Sequence, residues 1–389
     1  MERTKNLLLP VERITSGSGH FFFGYYDVPA WSGDDRLHLC HKVRFMNRLP
    51  RPDDVAVLGT ISLSSGEFAP FAETTAWNFQ QGSMLQWVPS APNDQVIYNR
   101  RDGDRFVGVV RSIRNDHERL LERPVAAVSP TGGHALSISF SRLFNFRPGY
   151  GYAGIPDPHD SVDRPSDDGI YLVDLDTGKS RLIISLEQVY AALPESIAEA
   201  MAGDRILINH ISFNTDGTRF FFLPRNNPRD GGHWSTGMLT ADISGADLRS
   251  INDAGMASHY NWRDARSIVC YSRWRGDYGL FVFPDEAGRA EAVDPSFFAG
   301  DGHCSYSPDR RYLLYDSYPI EGFRYLYLYD LARRRGQTLG AFWSDPASDG
   351  DIRCDLHPRW SGSGRRISFD STHEGSRHIY AIDLSPIIS

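Results

Sequence analysis

Long apolar runs, lysine and cysteine are all scarce in this sequence, and each scarcity removes a class of protein. The first ten residues hold only three consecutive apolar side chains, Leu7 to Leu9, before Pro10. That is too short for the apolar part of a signal peptide, and no stretch approaches the roughly 20 residues of a membrane span, so no membrane partner is expected. Lysines are few. Lys and Arg together number 41 against 49 Asp and Glu, a formal charge of −8 with a pI near 5.9. This balance excludes a nucleic-acid surface, and the longest basic run, Arg333 to Arg335, reads as a solvated rim beside a turn. The four cysteines, Cys40, Cys270, Cys304 and Cys354, form neither a CxxC pair nor a disulfide-rich pattern. They read as reduced thiols, which predicts a cytoplasmic protein. What the chain does have is apolar residues at 41%, aromatics at 12%, 35 glycines and 23 prolines. That composition supplies a large core and many tight turns, enough for two ordinary domains or one large all-β ring.

A short pattern decides between these. His210-Ile-Ser-Phe213, His259-Tyr-Asn-Trp262, His303-Cys-Ser-Tyr306 and His357-Pro-Arg-Trp360 each precede a polar turn and then an apolar strand. Successive histidines lie 49, 44 and 54 residues apart, the length of a four-stranded propeller blade. Three earlier segments share the pattern without histidine: Val28 before Trp31, Met84 before Trp87, and Val125 before Val128. Seven units predict a seven-bladed β-propeller of four-stranded antiparallel blades, a single domain over 1–389. The predicted blades cover 20–73 (strands at 36–42 and 55–63), 77–124 (95–99 and 106–113), then a third from 125 with strands at 135–140 and 169–175. Blades four to seven follow at 205–253, 256–295, 301–342 and 352–385. The last blade ends one strand short, so a strand within 6–14 is expected to close it. Helical spacing at 186–201 predicts an inserted helix.

In such a ring, the loops entering first strands share a face with those joining second and third strands. The long Arg- and aromatic-rich loops at 44–52, 100–105, 142–168, 225–234, 273–278 and 317–323 therefore surround the four histidines. Each histidine has a structural alternative, a hydrogen bond inside its own blade. Yet blades one to three put Val, Met and Val at the equivalent point, so the fold itself does not require histidine there. Neutral imidazoles meeting a carboxylate suit a divalent ion: manganese first, with zinc, nickel or calcium as options. Asp355 lies two residues before His357, on the same face of an extended chain. The metal candidates are thus His303, His357, Asp355 and His259, with Asp301 as an orienting carboxylate and His373 as rim residue or ligand.

The last blade, His357-Pro-Arg-Trp-Ser-Gly-Ser-Gly-Arg-Arg-Ile-Ser-Phe-Asp-Ser-Thr-His-Glu-Gly followed by Ile379-Tyr-Ala-Ile-Asp-Leu, resembles the end of the oligogalacturonate lyases. His303 in Gly-His-Cys-Ser-Tyr and His259 in Ser-His-Tyr-Asn-Trp resemble earlier histidines of that family, and the likeness spans about 205–389. The resemblance implies a manganese-type ion held by histidines and a glutamine, and β-elimination on a uronic acid in a small acidic oligosaccharide. The family's Gln-x-x-His-x-His stands here as Ile352-Arg-Cys-Asp355-Leu-His357. Only the final His is kept, which points to a sister activity on another acidic sugar.

β-Elimination needs the substrate carboxylate neutralised, a base, and an acid for the leaving oxygen. His259 is the preferred base and His210 the alternative, while Arg225 is the nearest match to the family's catalytic arginine. Arg142, Arg147, Tyr150 and Tyr152 in the blade 3 loop offer forks and stacking faces for a uronate, the tyrosines equally as packing. Tyr26 and Gln81 line a sugar pocket or seal the channel. Two other classes stay open: a metal-dependent sugar hydrolase, or a non-catalytic propeller binding glycan or protein, as monomer or weak homo-oligomer.

Overall fold

Period-two alternation produces the strands. In Phe323–Asp330, Leu326 and Leu328 point inward with 0% and 1% exposure. Tyr325 and Tyr327 stack on each other on the opposite face, their centroids 5.9 Å apart. Repeated along the chain, this pattern gives seven antiparallel sheets, and the ring is a seven-bladed β-propeller. The computed structural model describes residues 3–229, 231–286 and 288–388. From the axis outward, blade 1 is His20–Phe22, Leu37–Val43, Ala56–Ser62 and Phe68–Thr74. Blades 4, 5, 6 and 7 begin with Arg205–Phe213, Ala257–Asp264, Cys304–Tyr306 and Arg359–Trp360.

The chain's beginning closes the ring in two places. Glu12–Arg13 pairs with His378–Asp383 and completes blade 7, as the missing strand required. Thr4–Lys5 adds a fifth strand to blade 6 against Arg335–Trp343, a pairing absent from the sequence reading.

The aromatic residue ending the repeat joins one blade to the next. The indole N–H of Trp87 donates to the Ala30 carbonyl at 3.2 Å, that of Trp262 to Ser212 at 3.3 Å, and that of Trp360 to Ser305 at 3.2 Å. Each large side chain thus fills an inter-blade gap while its one donor is satisfied. Asp370 in blade 7 takes the Arg359 guanidinium at 2.7 Å and the Phe23 N–H at 3.2 Å, which ties the last blade to the first.

Several local expectations change. The second strand of blade 3 stops at Ser137, because Ser139 caps a helix, Phe140–Phe146, instead of extending the strand. The predicted helix at 186–201 is two short ones, Leu186–Ala191 and Glu195–Ala200, since Pro194 cannot donate inside a helix. The segments at 100–105 and 273–278 are tight hairpins rather than long loops, with Asp102 opposite Arg105 and Trp274 opposite Asp277. In the second hairpin Arg275 and Gly276 both take positive φ, the two-residue turn that matches strand twist. Blade 1's inner strand breaks after Phe22 and resumes at the Trp31–His38 bridge. That break loops Tyr25, Tyr26 and Asp27 toward the axis. Among the described residues, no helix is long and apolar enough to cross a membrane.

Candidate functional site

The repeat delivers its histidines at irregular points of the inner strands. A register shift lies between Ile208 and His210 in blade 4, and another between Ala257 and Tyr260 in blade 5. His303 precedes the blade 6 strand, and His357 has φ of 42°, a left-handed backbone. Bulges and left-handed residues re-aim side chains out of the sheet. Here they turn four imidazoles toward the axis.

His303 and His357 approach closest, Nε2 to Nε2 at 3.1 Å. Behind them sits Asp316, a fully buried carboxylate of blade 6's second strand. It accepts the His303 N–H at 2.8 Å, His303 Nδ1–H at 2.9 Å and the His357 N–H at 3.1 Å. With Nδ1 committed to the carboxylate, His303 presents Nε2 as a lone pair, and the same bond set fixes the left-handed His357. The His259 ring lies tilted, its centroid 3.9 Å from that of His303, while its Nδ1 lies 2.9 Å from Asp301 Oδ1. Asp301 is therefore the orienting carboxylate expected, acting on His259. His210 places Nε2 3.2 Å from the Tyr25 hydroxyl, and its Nδ1 is buried without a partner. Burial pushes the imidazoles of His210, His259 and His357 below their ordinary range, so all three are neutral.

Asp355 lies between two arginines. Arg324 Nη1 is 2.6 Å from one oxygen and Arg353 Nε 2.7 Å from the other, while His357 Nε2 is 3.8 Å away. Against the cost of burial, Arg353 and Arg324 hold the carboxyl well below its usual range. His303, Asp355 and His357 bring their ligand atoms within 4.8 Å of one another. His259 stands beside this trio, outside it. The fit to a divalent ion can be judged from the donors. The two Nε2 atoms, 3.1 Å apart and within hydrogen-bond distance of each other, have the spacing of neighbouring ligands around an ion bound at about 2.1 Å, and the Asp316–His303 bond is the usual outer support of a ligating imidazole. Asp355 is shared with two guanidiniums, which weakens it as a ligand. The residues fit an ion held chiefly by imidazoles.

Above this centre opens a cavity of about 700 Å³. Its wall includes His210, His259, Tyr150, Arg147, Arg225 and the exposed Trp234, together with Tyr318, Arg324 and Arg353. Arg225 is buried, donates Nε to Thr236 Oγ1 and Nη2 to the Ala257 carbonyl, both at 3.2 Å, and keeps Nη1 unpartnered. Burial, reinforced by Arg147, lowers its guanidinium to about 10. Arg147 lies 4.2 Å over the Tyr150 ring. Arg353 Nη2 donates to the Tyr150 hydroxyl at 2.9 Å.

Of the residues named from sequence, His210, His259, Arg225, Arg147 and Tyr150 share this cavity, and His303, His357 and Asp355 form the buried trio. The others lie elsewhere. Arg142 is an anchor: Nε binds the Ile206 carbonyl, Nη1 binds Asp157 and the His159 carbonyl, and Nη2 binds the Val162 and Asp163 carbonyls. Tyr152 is wholly buried, stacked 4.3 Å from Phe140, its hydroxyl accepting from Asn99. Tyr26 is locked on the axis by bonds to both backbone groups of Tyr260, and Gln81 lies in a buried turn at 78–82. His373 pairs with Ser371 Oγ at 2.9 Å and packs on Tyr380. Sequence reasoning missed Asp316, Arg324, Arg353, Tyr318 and Trp234. For Arg353 a signal existed, since it sits two residues before Asp355 in the segment already singled out.

No family model matches the chain, and no curated protein matches its sequence. Solved structures do share the fold. An oligogalacturonate lyase in complex with manganese superposes with a TM-score of 0.70 over 98% of this chain and 95% of that one, at 14% identity. An oligogalacturonate lyase from Vibrio parahaemolyticus gives 0.68 with the same identity and coverage. The tricorn protease gives 0.53 at 13% identity, covering 95% of this chain and 34% of that one. The chain is thus a seven-bladed propeller similar in fold, along nearly its whole length, to oligogalacturonate lyases.

Proposed function

We propose that this propeller is a lyase that cleaves a small uronate-containing oligosaccharide by β-elimination, assisted by a divalent ion. The observation that carries the reading is the pairing of a carboxylate-backed histidine with unpaired guanidinium charge across one cavity. The Asp301 bond fixes the His259 proton on Nδ1 and leaves Nε2 as acceptor. Facing it, Arg225 has no carboxylate within ion-pair distance among the described residues and one N–H edge without a partner there, and Arg147 stands beside it. A sugar carboxylate seated on this edge loses charge, which acidifies the neighbouring C–H. Nε2 of His259 takes that proton, and Asp301 stabilises the imidazolium formed. Tyr150, its hydroxyl already receiving a bond from Arg353, is the group positioned to protonate the leaving oxygen. His303 and His357, with Asp355, would hold the ion, manganese by the likeness above, which supplies further charge neutralisation at the substrate carboxylate. A cavity of about 700 Å³ suits a short saccharide.

The test is ultraviolet absorbance of unsaturated uronide over a panel of oligouronides, with wild type, His259→Gln and Arg225→Met. The expected result is activity on at least one uronide, lost by roughly 100-fold or more in His259→Gln. Products without a double bond would instead establish a hydrolase, and no activity in ion-loaded protein would end the enzymatic reading.

A further inference from the structure

Metal-ligand chemistry also occurs away from the cavity, at the base of the blade 3 insertion, between the strands His134–Ser137 and Gly169–Asp174. Asp157, His159 and Asp168 bring their ligand atoms within 4.8 Å of one another, and the two carboxylates are buried. His159 Nδ1 is buried with no hydrogen-bond partner. It lies 3.9 Å from Asp168 Oδ2, too long for a hydrogen bond but a natural gap between two ligands of one ion.

The other ring nitrogen explains the orientation. His159 Nε2 is 3.1 Å from Asp167 Oδ1, and this contact with the outer carboxylate leaves Nδ1 on the inner side of the ring. Asp157 is immobilised on both oxygens, one accepting the His159 N–H at 3.0 Å and the other the Arg142 guanidinium at 3.0 Å. Within ion-pair distance among the described residues, the carboxyl groups of Asp157, Asp167 and Asp168 face one guanidinium, that of Arg142, and the His159 ring, an excess of acidic groups.

We propose that Asp157, His159 Nδ1 and Asp168 form a second divalent-metal site, suited to zinc or manganese, that fastens the inside of the insertion to its far end. One imidazole with two carboxylates selects this class over calcium or magnesium, which prefer oxygen alone. A divalent charge also balances the excess. Because Asp168 immediately precedes Gly169 at the start of the third strand, the ion joins the far end of the insertion to the blade. The same insertion carries Arg147 and Tyr150 into the cavity, so the ion would steady two cavity residues without touching substrate. The site shares no residue with the His303–His357 pair and does not depend on the proposed reaction.

The experiment is zinc content after equilibration and gel filtration, together with hydrogen exchange of the insertion with and without zinc. The proteins are wild type, His159→Ala, Asp168→Asn and His303→Ala. The expected result is that His159→Ala and Asp168→Asn each carry one ion fewer than wild type while His303→Ala keeps the insertion's ion. Zinc should slow exchange across 140–168 about tenfold or more in wild type and His303→Ala only. Equal metal content in wild type, His159→Ala and Asp168→Asn would overturn the proposal, as would no zinc effect on exchange. Either result would mean that His159 serves only to tie Asp167 and Asp168 within the loop. Ion loss confined to His303→Ala would support the axial site and reject this one.

Discussion

Asp316→Asn separates the roles of the axial histidines most cleanly. The replacement has the same shape, so packing is preserved while one carboxylate oxygen becomes an NH2 group. In the native site, Oδ1 accepts two donors from His303 and Oδ2 accepts the His357 N–H. Whichever way the amide turns, one donor faces another donor, and the remaining bonds lose their charge. A buried donor left without an acceptor costs about 1–3 kcal/mol, and a charged hydrogen bond exceeds a neutral one by about 1 kcal/mol, so stability should fall by about 3 kcal/mol. Removing the carboxylate behind a ligating imidazole costs about 10–100-fold in metal affinity, or about 1.4–2.7 kcal/mol. Urea unfolding measures the first effect, and calorimetric titration of manganese into metal-stripped protein measures the second. A variant with an unchanged unfolding midpoint would refute Asp316 as the organiser of the pair. A destabilised variant with unchanged ion affinity would show that the pair does not hold the ion.

Other consequences can be checked as directly. Arg142→Met should cost about 3–5 kcal/mol, because buried Asp157 and several carbonyls lose their donor. Arg147→Gln should leave stability within about 0.5 kcal/mol and raise KM, and a reversal of these two outcomes would undo the assignment of roles. Burial holds the imidazoles of His38 and His41 down at about 3. The unfolded chain therefore takes up these protons first, so the stabilisation is whole above about pH 6.5 and is lost as pH falls toward 3. At about 1.4 kcal/mol per pH unit for each, unfolding free energy should drop by about 4 kcal/mol between neutrality and pH 5, and a flat profile would reject their neutrality. Deleting the chain through Arg13 should lower the melting temperature and promote aggregation, since it bares an edge on blade 6 and another on blade 7. A deletion variant as soluble and heat-resistant as the full chain would contradict the closure.

The architecture was legible because blade length, period-two alternation and turn residues are all local. His210, His259, His303 and His357 announced themselves by recurring at one point of that period. Asp316 did not, because its partners are 13 and 41 positions away along the chain, one beside the neighbouring strand of its own blade and one in the next blade. Arg324 looked like an ordinary strand residue within an alternating run, and only the ring brings it to Asp355. Arg142 and Tyr152 misled in the opposite sense: residue types suited to sugar binding were drawn inward by a loop that needed its own anchors. Tyr26 was sequestered likewise, its hydroxyl satisfying both backbone groups of Tyr260.

The double fastening of the amino-terminal segment has a consequence for synthesis. Thr4–Lys5 and Glu12–Arg13 are translated before every blade, yet their partners lie at 335–343 and 378–383, in the last two blades. On the ribosome, early blades can form while this segment stays unclaimed, and the toroid cannot seal until the last blade has emerged. A nascent chain of this kind carries open sheet edges for most of its elongation, which makes it a natural client for a holding chaperone.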